Sequence, residues 1–534
     1  MKKLSTAALL AVALSASPLA ADTLRVGLAA GPSSLDPHFH NIATNNAMMR
    51  NVFDRLVHMD ANMRLVPALA ESWTPIDETT WEIKLRAGVT FHDGTDFEAS
   101  DVIYSVERIP SVPNSPSAFT KFVKSIEAIE VVDDLTLRIK TSGPVPLLAS
   151  DLAQFSIVSK QSAEAYLAAN PSAAASITEI DSAAFNSGAL AIGTGPFSVT
   201  KWAPEETLHL ARNDAYWGDK PHFEAAELRP IQNDAARLAA LQSGDVDLID
   251  ALPTSDAGKI REDAKFTVFE KPSNLAIYLH MDTERDDTPF VTANDGSKIQ
   301  NPLKDVRVRE ALSLAINREG IARAIMDGAA KPAGQLLDVG FAGASENLPA
   351  PAYDANRAKE LLTEAGFPEG FKITLQTSND RYVNDEKVAL AIAQNLTRIG
   401  ITTAVQAETK ATYFGNASKQ AYSFMLLGWG SSTGEQGSSL EALLHSYDEE
   451  NASGSANRGR FSDAKFDGMI TEAMQTLDEA ERNAKAAAAA EYGIGEQHGL
   501  IPIHFQNNLW AARKGITFEP RADAYTIIDT AAAE

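Results

Sequence analysis

The chain contains no cysteine among its 534 residues. Disulfide bonds, thiolate zinc sites, iron–sulfur clusters and cysteine nucleophiles are therefore excluded. The same absence bears on export, because a lipid-anchored exported protein needs a cysteine at its cleavage site. An exported form of this chain is therefore expected to carry no lipid anchor.

Positive charge is also scarce, since 47 Lys and Arg residues stand against 71 Asp and Glu residues, a formal net charge of −24. A surface this acidic repels phosphate backbones, so nucleic acid is not expected as a partner. Hydrophobic residues make up 44% of the chain and charged residues 22%, which is typical of a globular protein with a large core. The length predicts about three domains.

Long hydrophobic runs are missing after the N-terminus, so no transmembrane helix is predicted. At the N-terminus two lysines follow Met1, residues 7–14 are all apolar, and small residues continue to Ala21. This layout predicts a secretory signal peptide over residues 1–21. The alternative, an uncleaved membrane anchor, is less favoured because the run is too short to span about 30 Å of hydrocarbon. We predict a soluble protein secreted to the bacterial periplasm.

Hydrophobic periodicity predicts a mixed α/β chain. Residues 81–86 and 135–140 alternate apolar and polar side chains, as half-buried strands do. Between them Ser100 can cap an amphipathic helix, so this block is predicted as a compact α+β unit. Strands and helices alternate from about residue 276 to 499, where Asp305 caps a further helix, and this alternation indicates a parallel-type α/β lobe.

Seven sequence blocks carry a family resemblance. Residues 65–73 read LVPALAESW, residues 88–94 GVTFHDG and residues 101–105 DVIYS. The later blocks are GTGPF at 193–197, RNDAYW at 212–217, VRVREALSLAIN at 306–317 and IPIH at 501–504. In this order they closely resemble the family 5 bacterial extracellular solute-binding proteins, which are the peptide-, nickel- and glutathione-type receptors of ABC importers. The resemblance covers essentially the whole chain after the signal peptide.

The resemblance implies an α/β fold of two lobes around a cleft. This is the class II type of periplasmic-binding-protein fold, with an extra α+β domain inserted in lobe I. By analogy, the parts are lobe I at 22–60, 190–275 and 500–534, the inserted domain at 61–189, and lobe II at 276–499. The chain would then cross between lobes near 274–282 and 498–504, which are hinge candidates because a hinge needs few residues.

The loop after Trp429 is the candidate for binding a ligand ammonium group. In peptide-binding relatives, an acidic residue shortly after a Trp of lobe II captures the α-amino group. The Asp-rich form of this motif is absent here, and Trp429 followed by Ser432, Thr433 and Glu435 resembles the glutathione-binding branch. Glu435 is our candidate because a charge in a closed cleft needs a paired charge. The alternatives are a solvated loop glutamate for Glu435 and a lobe II core position for Trp429.

A polar loop supplies the candidate for a ligand carboxylate. Asn379, Arg381 and Tyr382 follow a predicted strand, and Arg381 can pair with a carboxylate through two hydrogen bonds. A surface salt bridge is the alternative role for Arg381. Four more residues complete the candidate ligand-binding set. By analogy with the family, three of them would face the cleft from lobe I, namely Ser33, Ser34 and Leu35. The fourth is His504.

An enzyme is the competing hypothesis. Residues 430–434 read GSSTG, which matches the G-x-S-x-G pattern of a hydrolase nucleophile elbow. Ser432 would be the nucleophile, and His504 with an aspartate would complete a triad. No glycine-rich oxyanion segment precedes the pattern, and the resemblance places this stretch on a receptor's cleft wall. The secreted serine hydrolase is therefore the less favoured alternative, and no catalytic residue is predicted.

Neither a cofactor nor a metal site is predicted. His38 and His40 lie two residues apart and the other histidines are scattered, with no H-E-x-x-H or EF-hand pattern. The favoured function is a monomeric periplasmic receptor that captures a short peptide or glutathione-like solute and delivers it to membrane permease subunits. Another solute, such as an opine, a sugar or a metal chelate, stays open as an alternative because the resembled family includes nickel receptors.

Overall fold

The computed structural model describes residues 22–449 and 453–534. The predicted signal peptide, residues 1–21, lies outside the described residues. In chain order the strands are β1 (Thr23–Leu28), β2 (Val57–Met59), β3 (Leu65–Pro67), β4 (Ala70–Pro75), β5 (Thr80–Leu85), β6 (Ile126–Asp133), β7 (Thr136–Thr141), β8 (Phe197–Ala203), β9 (Thr207–Arg212), β10 (Ala225–Pro230), β11 (Leu248–Ile249), β12 (Phe266–Met281), β13 (Val291–Thr292), β14 (Ala330–Pro332), β15 (Lys372–Ser378), β16 (Thr402–Glu408), β17 (Phe424–Gly430), β18 (Leu500–Arg513), β19 (Ile516–Thr517) and β20 (Ala532–Ala533).

The helices surround these strands and are mostly short. In chain order they are α1 (Ala43–Met49), α2 (Ala99–Arg108), α3 (Leu148–Leu152), α4 (Lys160–Ala169), α5 (Ser182–Asn186), α6 (Asp234–Ser243), α7 (Thr254–Glu262), α8 (Val306–Leu314), α9 (Arg318–Ala324), α10 (Ala355–Glu364), α11 (Asp385–Thr397), α12 (Lys410–Ala417), α13 (Gln436–Leu444), α14 (Ala464–Gln475) and α15 (Glu479–Ala490). Within the described ranges, every helix is too short or too polar to serve as a membrane span.

One large sheet runs through two lobes. Its strand order is β13-β15-β17-β12-β18-β11-β1-β10-β9-β8, with β14 paired to β18 and β16 paired to β15. We call the part built on β1 and β8–β11 lobe I, and the part built on β13 and β15–β17 lobe II. Each lobe has its own apolar core, one around Val26, Phe53 and Trp510 and another around Leu375 and Leu426.

Two long antiparallel strands, β12 and β18, join the lobes. Residues 266–272 of β12 pair with 507–513 of β18 in lobe I, and residues 276–280 pair with 500–505 in lobe II. The register shifts between Pro272 and Ala276. The first crossing thus overlaps the predicted hinge at 274–282, whereas the second lies just beyond the predicted range of 498–504.

A second, four-stranded antiparallel sheet has the order β4-β5-β7-β6. It carries a separate core of apolar side chains drawn mainly from residues 56–157, which we call the small-sheet region. Helices α4 and α5 follow this region in the chain, but their residues Ala163 and Phe185 pack in the core of lobe I.

Local capping explains where two of the helices begin. The Asp305 carboxylate accepts a hydrogen bond from the Arg307 backbone N–H at 2.9 Å, so Asp305 caps α8 as predicted. The predicted cap at Ser100 is wrong, because α2 already begins at Ala99 and Ser100 lies in its first turn. Glu98 and Asp101 exchange side-chain-to-backbone hydrogen bonds there in a capping box.

Candidate functional site

The strands of both lobes end at the gap between the lobes. β1, β10 and β11 are parallel to each other and run in the same direction as β12, from lobe I towards lobe II. β15, β16 and β17 run the opposite way, towards lobe I. The loops after these strands therefore face each other across the gap, and ligands of open α/β sheets bind at such carboxyl ends. We take this gap as the candidate site and call it the cleft.

A cavity of about 540 Å³ lies in the cleft beside β18. This volume is within the usual range of about 300–1,000 Å³ for small-molecule sites. Its wall combines carboxylates, amides, hydroxyls and apolar side chains from both lobes. The lining residues are Asp234, Asp250 and 251–255 from lobe I, Asp327, Val383, Asn384 and Lys387 from lobe II, residues 506–510 of β18, and Ala524.

Asp250 is the most perturbed acid of this wall. Its carboxylate accepts a hydrogen bond from the Ala29 backbone N–H at 2.7 Å and lies 3.7 Å from Arg237. Burial nevertheless raises the pKa of Asp250 to about 6, because the charged carboxylate is poorly solvated. The wall of lobe I can therefore gain or lose a negative charge near neutral pH.

The loop after β15 presents Arg381 to solvent. The guanidinium lies 5.2 Å from the centre of the Tyr382 ring, and the Tyr382 hydroxyl donates to the Gly428 carbonyl oxygen at 3.1 Å. Burial raises the pKa of Tyr382 above its ordinary value. The buried Asp385 carboxylate accepts from the backbone N–H groups of Arg381 and Tyr382, so it fixes the loop. Asn379 is exposed at the start of the same loop.

The end of β17 and the loop after it carry Trp429, Ser432 and Thr433 to the same edge. The Trp429 indole N–H donates to the Ser439 hydroxyl at 3.1 Å, and its ring packs partly against the lobe II core. Ser432 is exposed, while its backbone carbonyl accepts from the Gln154 side chain at 3.1 Å. The Thr433 and Ser438 hydroxyls are 2.7 Å apart. The loop thus touches the small-sheet region as well as the cleft.

Glu435 is not a solvated loop residue. It is only 5% exposed, and its two carboxylate oxygens each accept a hydrogen bond of 3.0 Å from the Arg482 guanidinium. Arg482 lies on α15 and is 4% exposed. A ligand ammonium would have to share or displace this buried partner. The sequence offers no local sign of it, because the two residues are 47 positions apart.

The three candidates from lobe I differ in exposure. Ser33 is exposed, and its hydroxyl lies 2.8 Å from the His40 ring nitrogen. Ser34 is buried and donates to the Asn186 side chain at 2.9 Å. Leu35 is fully buried in the lobe I core. Of the three side chains, only that of Ser33 is open to the solvent.

His504 lies inside the sheet. It is 1% exposed, and its two ring nitrogens have no hydrogen-bond partner among the described residues. Burial lowers the pKa of His504 to about 4, so the ring is neutral at pH 7. His504 is therefore not hydrogen-bonded to Ser432. The residues 430–434 do lie between a strand and a helix, as a nucleophile elbow requires, but the expected serine–histidine contact is missing.

Several cleft residues were missed by the sequence analysis. Asp250 and Asp385 each follow a strand directly or by a short loop, and this position is a usable signal in α/β folds. Gln506 comes two residues after the IPIH block, and its side-chain oxygen lies 3.4 Å from the Val383 backbone N–H. In the part of the chain that the structure describes, no group of three or more His, Asp or Glu side chains could hold a metal ion.

Comparison with known proteins identifies similar sequences and folds. A sequence model described as bacterial extracellular solute-binding proteins, family 5, middle, matches residues 64–451. The glutathione-binding protein GsiB of Escherichia coli (strain K12) is 28% identical over 518 residues, which cover 95% of this chain and 94% of GsiB.

Two solved structures share the architecture over nearly the whole chain. HbpA2 from Haemophilus parasuis has a TM-score of 0.81 at 23% identity, covering 96% of this chain and 100% of that chain. The unliganded open form of MppA, a periplasmic murein tripeptide binding protein, has a TM-score of 0.79 at 22% identity, covering 96% and 97%. The predicted two-lobed α/β fold of periplasmic binding proteins is confirmed.

Proposed function

Because the chain belongs to the bacterial extracellular solute-binding proteins of family 5, we propose that it captures a peptide-like solute between its lobes. The receptor then delivers this solute to the membrane permease of an ABC importer. The observation that carries the proposal is the cavity of about 540 Å³ at the facing strand ends of the two lobes. A solute that touches both lobes favours the closed arrangement by its additional contacts.

The polar groups of the cleft suit a zwitterionic solute. Arg381 offers an exposed guanidinium on a loop held by Asp385. Two of the cavity's acids, Asp234 and Asp250, share the single cation Arg237, which leaves a net negative charge on this wall. Trp429, at the end of β17, offers a partly exposed apolar ring on the lobe II side. The names of two relatives, a glutathione-binding protein and a murein tripeptide binding protein, support a peptide-like class.

The buried ion pair changes our assignment of Glu435. We propose that its carboxylate supports the loop after β17 by holding Arg482, and that the ligand ammonium is met by acids of lobe I. Ser33, Asn379, Tyr382, Ser432 and Thr433 remain proposed contacts. Three members of the proposed set have buried side chains, so we propose that they support the cleft wall from within the protein and do not contact the solute directly. These residues are Ser34, Leu35 and His504.

We further propose that the protein performs no catalysis and acts as a monomer. Its location is the periplasm, in keeping with the extracellular setting of the family and with the signal peptide predicted at residues 1–21. The small-sheet region, with its separate core, is proposed as the domain inserted in lobe I.

Native mass spectrometry of protein purified from its host tests the solute class directly. We expect a co-purified mass that matches a short peptide or glutathione-like compound. A thermal-shift panel of short peptides, glutathione, opines, sugars and chelated nickel provides the second arm. A ligand at one hundred times its Kd stabilises the protein by about 2.7 kcal/mol. Shifts by sugars or chelated nickel alone would refute the peptide-like class but not the receptor function.

A further inference from the structure

A groove between the small-sheet region and lobe II leads away from the cleft. It consists of two cavities of about 360 and 330 Å³ that share Leu65, Trp73 and Glu479 in their walls. Thr433 and Glu435, on the loop after β17, line the first cavity. The groove therefore begins at a loop of the cleft and continues along the surface of the small sheet.

Two buried polar groups in the second cavity have no hydrogen-bond partner in the part of the chain that the structure describes. Trp81 and Ser150 both line it and are 4% and 1% exposed. Among the described residues, the Trp81 indole Nε1 and the Ser150 hydroxyl make no hydrogen bond. Such groups are rare in folded proteins, because each costs free energy until it is paired. An indole N–H can only donate and a hydroxyl can donate, so each would be satisfied by an acceptor oxygen.

The remaining wall is apolar on one side and acidic on the other. Trp73, Pro75 and Pro146 come from the small-sheet region, while Asp478 and Glu479 come from lobe II. The Arg482 guanidinium in this wall is already neutralised by Glu435. The exposed Arg64 lies in the wall of the first cavity, so it is the second cavity that suits a group with an apolar body, an acceptor oxygen and a positive charge.

We propose that this groove is a second subsite for the same solute. It takes the distal residue of a peptide longer than two residues, with a backbone or terminal oxygen accepting from Trp81 and Ser150. A basic side chain on that residue is favoured by Asp478 and Glu479. This inference rests on the proposed peptide-like function, and it adds the length and the distal charge of the preferred solute.

Fluorine NMR of protein labelled with 5-fluorotryptophan separates the two sites. Trp429 reports on the cleft and Trp81 on the groove, and the variants Trp429→Phe and Trp81→Phe assign their signals. The probes are Ala-Ala, Ala-Ala-Ala-Arg and free L-arginine. We expect both peptides to shift the Trp429 signal, and the tetrapeptide to shift the Trp81 signal further than Ala-Ala does. Lobe closure moves the surroundings of Trp81 with either peptide, so equal Trp81 shifts for the two peptides would overturn the subsite.

The other outcomes are also decisive. A tetrapeptide that shifts only Trp429 overturns the subsite and leaves the proposed function standing. If free L-arginine shifts the Trp81 signal, the groove binds ligands independently of the cleft. That result would refute the claim that the groove is a subsite of the cleft. If neither peptide shifts either signal, both the proposed peptide-like function and the proposed subsite are refuted.

The Ser150→Ala variant tests the hydrogen bond itself by calorimetric titration. We expect affinity for the tetrapeptide to fall about two- to tenfold, the loss of one hydrogen bond, and affinity for Ala-Ala to stay unchanged. The melting temperature of the empty protein should not fall, because the hydroxyl has no partner to lose. Ser142→Ala, on an exposed serine outside the groove, is the matched control. Unchanged tetrapeptide affinity in Ser150→Ala would overturn the assignment of Ser150.

Discussion

The substitution Glu435→Gln removes the charge from the buried pair with Arg482 while nearly preserving the shape of the side chain. Breaking a buried ion pair by removing one partner costs about 3–5 kcal/mol, because the other charge is left uncompensated. Two features reduce this cost here. Glutamine keeps an oxygen that can still accept from Arg482, and the guanidinium also donates to the carbonyls of Thr476 and Leu477 at 3.3 and 3.2 Å.

The loss in Glu435→Gln is therefore closer to one hydrogen bond to a charged group, about 1.5–3 kcal/mol. For a domain the size of lobe II, this corresponds to a fall in melting temperature of about 3–12 °C. Differential scanning calorimetry of the empty protein measures this fall. Glu481→Gln is the matched control. Glu481 pairs with Lys485 on the surface of α15, the helix that also carries Arg482, and such a surface ion pair contributes about 0.3–0.5 kcal/mol.

The same Glu435→Gln variant discriminates between the two roles of Glu435. A carboxylate that binds a ligand ammonium would leave the empty protein's melting temperature unchanged and weaken peptide binding at least about tenfold, or 1.4 kcal/mol. That pair of results would refute the supporting role that we assign to Glu435. A lower melting temperature with nearly unchanged affinity would support it.

Three further variants test other parts of the structure. Arg381→Gln should weaken binding of a peptide with a free carboxylate about tenfold but not its C-terminal amide, and calorimetry that finds equal losses would contradict a carboxylate contact. Burial raises the pKa of Asp151 to about 7, so the folded protein binds this proton more tightly and loses stability as pH rises from about 4 to about 7. Asp151→Asn should flatten that pH dependence in melting curves. Asp36→Asn removes the counter-charge of the fully buried Arg108, 2.6 Å away, but keeps an accepting oxygen, so it should cost about 1.5–3 kcal/mol in urea unfolding; an unchanged urea midpoint would contradict this.

Local signals in the sequence predicted local structure well. The cap at Asp305 was predictable because its hydrogen bond reaches only two residues ahead. Ser100 misled for the same reason, since it lies in the first turn between Glu98 and Asp101, the two residues of the capping box, and a serine at such a position resembles a cap. Residues 430–434 also had the predicted strand before them and a helix after them. Sequence patterns that span only a few residues therefore predict the local backbone geometry.

The contacts that define the site join distant parts of the chain, and the sequence carried no signal for them. Glu435 meets Arg482 because α13 and α15 pack together, and Ser34 is covered by Asn186 from 152 positions away. A loop glutamate and a loop serine look exposed in a linear sequence. Only the folded chain shows that one is neutralised and the other covered.

The position of β18 has a consequence for how the molecule is made. This strand lies in the middle of the large sheet, between β12 and β11, and both of these pairs are antiparallel. The strands β11 and β12 are synthesised some two hundred residues or more before it. Neither lobe can complete its sheet until β18 arrives, and pairing across such separations is slow. The edges of β11 and β12 therefore stay open to chaperones and to other chains until β18 is present, and the addition of this single strand ends that exposure in both lobes together.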